Sequence, residues 1–72
     1  GADPLEPPVK TARKIRKALS AEAEQAVRDM YDQEQVAQDA LFREDYSGAA
    51  TACHRAHQFK LVAAALRDGI AR

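Results

Sequence analysis

The sequence has little that cross-links or interrupts a chain. It has one cysteine, Cys53, so it cannot be a disulfide scaffold. Tryptophan is absent, and aromatic residues are limited to two Phe and two Tyr. Proline occurs only at positions 4, 7 and 8, and glycine only at 1, 48 and 69. No apolar run approaches the roughly 18 residues of a membrane span. Neither charge sign is in excess. Eleven Lys and Arg balance eleven Asp and Glu, with a pI near 6.9, which argues against a strongly basic nucleic-acid binder. The start, Gly1-Ala2-Asp3-Pro4, has neither the basic nor the apolar stretch of a signal peptide. With the lone cysteine this points to the cytoplasm. Lacking an initiator Met, the start reads as a cloning remnant on an excised domain.

What the chain does have is alanine, which supplies sixteen of its thirty-three hydrophobic residues. In 72 residues the remaining seventeen rarely stabilise a monomer by more than a few kcal/mol. One small domain is expected, without the deep pocket of an enzyme and with no small-molecule substrate or cofactor. Between Pro8 and Gly48 there is no breaker, and the composition favours helix. The fold class is therefore all-α. Residues 1–8 read as an extended arm. The domain then spans 9–72, with helices over about 9–19, 20–45 and 48–68. Ser20, followed by Glu22 and Glu24, marks a break or bend. Asp45-Tyr46-Ser47-Gly48 is the clearest turn, with Ser47 as the next N-cap and Gly69 as the closing residue.

Helical periodicity puts Ala23, Val27, Met30, Tyr31, Leu41 and Phe42 in one sector of the middle helix, with Ala37 at its edge. Ala52, Ala56, Phe59, Val62, Ala63, Leu66 and Ile70 share a sector of the last helix. A short turn between them makes an antiparallel hairpin, with Leu41 near Ala52, Met30 near Ala63 and Val27 near Leu66. Residues 20–46 hold eight acids and two bases; 47–72 hold four bases and one acid; 1–19 hold five bases and two acids. An acidic helix between basic segments suits this arrangement, although exposed pairs contribute only tenths of a kcal/mol each.

The last helix is apolar on a second side, where Ala50, Cys53, His57, Leu61 and Ala64 lie, with His54 and Ala65. A helix apolar on two sides needs two partners. The second is either the segment Ala12-Ile15-Leu19 folded back, or another copy completing a dimeric four-helix bundle. The expected interface is Ile15, Leu19, Ala50, Cys53, His57, Leu61 and Ala64.

Three motifs carry alternatives. Lys10, Arg13, Lys14, Arg16 and Lys17 put five positive charges in eight residues, as a helix along nucleic-acid phosphate would. The plainer reading is a solvated amphipathic helix; with so little apolar bulk, a membrane-surface role is not expected. Cys53 and His57 stand at i, i+4, where helical metal ligands stand, yet the second ligand pair of a structural zinc site is missing and no metal is expected. Nothing supplies an oxyanion hole for a Cys–His dyad. Glu34 and Gln38 fall inside the apolar sector, where they either pair with Lys60 and Arg55 or reach water.

Asp45-Tyr46-x-x-Ala49, with Ala56 seven residues on, is similar to the turn and second helix of a tetratricopeptide repeat. It departs from that pattern in having Glu44 where Gly is usual, no closing Pro and no second copy. The resemblance implies hairpin geometry only. The expected function is a helical protein-interaction or oligomerisation module, a regulatory or adaptor domain whose partner is a second copy or another helical protein. The alternative is nucleic-acid binding through the basic segment.

Overall fold

The structure is a computed structural model that describes residues 9–71, with side chains described for 11–70. The expected arm over 1–8 lies outside the described residues. Two helices make up the rest: α1 (Val9–Phe42) and α2 (Tyr46–Ala71), packed as an antiparallel hairpin about 14 × 13 Å across. The chain is all-α, as its composition requires.

No break occurs at Ser20. The helix passes straight through it, because thirty-four residues free of Pro and Gly offer no competing conformation that a lone serine could cap. A fold-back of Ala12-Ile15-Leu19 is thereby excluded.

The turn is built from three residues. Glu44 has φ 61°, the left-handed conformation in which helices commonly end. Around it the Asp45 N–H donates to the Ala40 carbonyl at 2.8 Å, and the Glu44 N–H to the Leu41 carbonyl at 3.0 Å. These two bonds define a Schellman ending. Asp45 then begins α2. Its carboxylate accepts from the Gly48 N–H at 3.0 Å, and its carbonyl from the Ala49 N–H at 3.0 Å. The N-cap is therefore Asp45, not Ser47. A Cβ on Gly48 would crowd the Asp45 carboxyl, 2.8 Å from its Cγ, so the missing side chain leaves room for the cap. Gly69 does not close α2 as expected, since it lies inside the helix and no glycine among the described residues has positive φ.

Every buried residue among the described ones is an alanine: 23, 26, 37 and 40 on α1, and 49, 52, 56 and 63 on α2. Half-buried residues complete two rows, Leu19, Met30 and Gln33 on α1 and Phe59, Leu66 and Ile70 on α2. The rows 19-23-26-30-33-37-40 and 49-52-56-59-63-66-70 alternate steps of three and four, the heptad signature of a coiled-coil seam. Counted outward from the 43–45 turn, Ala40 faces Ala49, Ala37 faces Ala52, Met30 faces Phe59 and Leu19 faces Ile70. Alanine at most seam positions lets the two backbones approach closely.

The sector read from the larger side chains is accordingly displaced. Tyr31, Leu41, Phe42 and Val62, expected inside, are exposed, Phe42 at 92%. Ala26, Ala40 and Gln33 take the seam positions. Bulky residues would hold the helices apart, so they sit on the flanks and the methyl groups meet.

Candidate interaction surface

The seam has two flanks. On one, two shallow grooves run along the junction of the helices. Met30 and Glu34 of α1 line the first with Cys53, Ala56, His57 and Lys60 of α2. The second continues it between Val27 and Tyr31 on α1 and Ala63, Ala64 and Arg67 on α2. This flank gathers Cys53, His57 and Ala64, three residues expected at an interface. All three are exposed, as is Ala50. Leu61 is 56% exposed at the outer edge of α2, beyond His57 and Ala64.

The other flank has a groove of its own. Gln33 lies there beside Arg55, Gln58, Phe59 and Val62. Ile15 falls in the row 15-22-29-36, on this side of α1. It is 53% exposed and is not brought together with Cys53 and His57. Leu19 is half-buried in the intrachain seam. The seven expected interface residues therefore separate into a cluster on α2 and two α1 residues placed elsewhere.

What the sequence reading missed is the α1 half of the first flank. Val27, Tyr31 and Leu41 are expected in the hairpin core, with Met30. Those three stand half-buried or exposed on the flank that α1 shares with the α2 cluster, while Met30 keeps its seam position and also lines both grooves. The available signal is the three-and-four spacing of the alanines, which displaces Val27, Tyr31 and Leu41 by one position from the seam.

Glu34 and Gln38 are both exposed, so neither is a buried polar group in want of a partner. No buried side-chain nitrogen or oxygen among the described residues lacks a hydrogen bond. Along α1, Gln25 donates to Asp29 at 3.0 Å, and Arg28 pairs with Glu24 at 3.8 Å, both at i, i+4 on the surface. On α2, Thr51 donates to the Ser47 carbonyl at 3.1 Å. Among the described residues no three His, Cys, Asp or Glu side chains converge as a metal site would require. Cys53 is a free, exposed thiol.

The basic segment has a distinct setting. By the register above, the last residue of α2 lies level with residue 18 of α1. No described residue of α2 lies level with the first turns of α1. Arg13, Lys14, Arg16 and Lys17 are all exposed there. The side chain of Lys10 lies outside the described residues. No described helix is long and apolar enough to cross a membrane.

No family model, curated protein or solved structure matches this chain.

Proposed function

We propose that the protein is a helical self-association module that uses the Cys53–Ala64 flank of the hairpin. One observation carries this reading: the intrachain seam consumes only alanines as buried residues, while most larger apolar side chains stand outside it. Burying one methyl contributes about 0.8 kcal/mol, so an alanine seam leaves much of the hydrophobic driving force unspent. Val27, Met30, Tyr31 and Leu41 together with Ala50, Cys53, Ala64 and Leu61 offer a mixed apolar strip the length of the hairpin. A second copy would cover it.

The test is a sedimentation series across protein concentration. The expected result is a reversible dimer. Leu41→Glu and Leu61→Glu should each shift the equilibrium to monomer while helical circular dichroism at high concentration persists, because both side chains are already exposed within one chain. A wild-type protein that stays monomeric at millimolar concentration removes this reading.

A second reading has its own support in the exposed bases Arg13, Lys14, Arg16 and Lys17. Exposed cations on a helix can follow a phosphate backbone. Retardation of duplex DNA at low salt, lost on reversing Arg13 and Lys17 to Glu, would favour it. No retardation at low salt would eliminate it.

A further inference from the structure

The two halves of the Cys53–Ala64 flank differ in size and in charge. On α1 the row 20-24-27-31-34-38-41 borders the seam there. It holds the bulky Val27, Tyr31 and Leu41 with two acids, Glu24 and Glu34, and no base. Beyond Tyr46 at the turn, the matching α2 row 50-53-57-60-64-67 holds the small Ala50, Cys53 and Ala64 with two bases, Lys60 and Arg67, and no acid. Apart from the half-buried Val27, all of these side chains are exposed. One half is large and negative, the other small and positive. The flank is therefore complementary to itself when each half meets the opposite half.

We propose that two copies pair through this flank with their turns at the same end, α1 of each lying on α2 of the other and Arg67 of each meeting Glu24 of the other. This rests on the self-association reading and gives it a geometry. Two such flanks stacked face to face have two symmetric arrangements. A two-fold axis along the hairpin sets each α1 on the other copy's α2. A two-fold axis across the hairpin reverses one copy and sets α1 on α1 and α2 on α2. The first allows no sliding, because rotation about the long axis leaves every residue at its own level. The register of the hairpin then fixes the contacts between copies. Arg67 lies two residues from the level of Glu24, about 3 Å along the axis. At the same offset Ala64 meets Val27, Lys60 meets Tyr31, His57 meets Glu34 and Ala50 meets Leu41. Glu24 also pairs with Arg28 along α1 at 3.8 Å, a weak exposed pair that does not use up the carboxylate. The reversed arrangement sets bulk against bulk on α1 and gives Lys60 and Arg67 no acid to face on α2. The register that would lay Lys17 over Glu34 puts Lys60 directly over Arg67. With turns together, the two α1 helices stand about 11–14 Å apart on the diagonal, beyond a Debye length at physiological salt, so their basic first turns oppose the pairing only weakly.

The decisive experiment reads orientation and charge separately. With Cys53→Ser as background, spin labels on Phe42→Cys should lie within about 25 Å of each other, against about 40 Å for reversed copies that overlap fully. The swapped chain Glu24→Arg/Arg67→Glu keeps its net charge and should pair with itself within about twofold of the wild type. Mixed dimers of swapped and wild-type chains should be roughly tenfold weaker at low salt, because like charges then meet at both contacts; native mass spectrometry of the mixture reads this. In reversed copies positions 24 and 67 never face each other, so mixed dimers would be no weaker than the wild type. A long label distance overturns this geometry and leaves self-association standing. A wild-type protein monomeric at millimolar concentration overturns both. A short distance with free mixing of swapped and wild-type chains overturns the Arg67–Glu24 contact and moves the interface off this flank.

Discussion

Glu44 and Asp45 decide where one helix stops and the next begins. Glu44 occupies a conformation with φ 61°, which strains any residue with a Cβ by about 1 kcal/mol or more. Glu44→Gly should therefore stabilise the hairpin by about 1 kcal/mol, read as a rise of several degrees in Tm at fixed protein concentration. The glycine missing from the turn, noted in the comparison with a tetratricopeptide repeat, is missing at the one backbone position that favours it. Asp45 serves both helices, its N–H closing α1 and its carboxylate capping α2. Asp45→Ala should cost about 1 kcal/mol and Asp45→Asn much less, since the amide oxygen still accepts from Gly48. Urea melts of the three variants check these signs together.

At the scale of the helix, α1 and α2 differ in kind. α1 is amphipathic, whereas α2 has apolar residues around most of its circumference. The uninterrupted α1 yields a prediction that separates it from the two-helix alternative. Were Ser20 an N-cap, Ser20→Ala would destabilise by about 1 kcal/mol. In a continuous helix the same change should be neutral or slightly stabilising, because alanine is the better helix former. The seam makes the opposite demand on size. Ala37→Leu or Ala52→Leu should cost about 1–3 kcal/mol by forcing close-packed backbones apart. Ala21→Leu, on the exposed face, should change little. Thermal unfolding followed by circular dichroism distinguishes the two positions.

For the whole molecule, a seam of eight buried alanines binds two helices with little area to spare. On the proposed self-association, stability should depend on protein concentration, because a second copy would bury what folding leaves exposed. Tm should rise with concentration for the wild type and much less for Leu61→Glu. Deleting α1 up to Lys17 should leave the hairpin's helicity per residue and its state of association nearly unchanged, since no described residue of α2 lies level with those turns. Light scattering and circular dichroism on the truncated chain measure both.

The sequence alone determined the class of fold and came within about three residues of the turn. A long stretch without Pro or Gly, rich in helix formers, is helical, and Asp45, the first residue of the expected turn, is the last of the turn that forms. It also marked Ala50, Cys53, His57, Leu61 and Ala64 as apolar or polar excess on the outer side of α2, and all five are exposed. Tertiary structure decided which face of α1 meets α2. Periodicity weighted by side-chain bulk selected Tyr31, Leu41 and Phe42, because hydrophobicity grows with size, whereas close helix packing selects the smallest side chain. The same packing turned Val27, Tyr31 and Leu41 from core into flank, on the side where Cys53 and His57 lie. Neither consequence is legible one residue at a time, since both depend on how near two backbones can come.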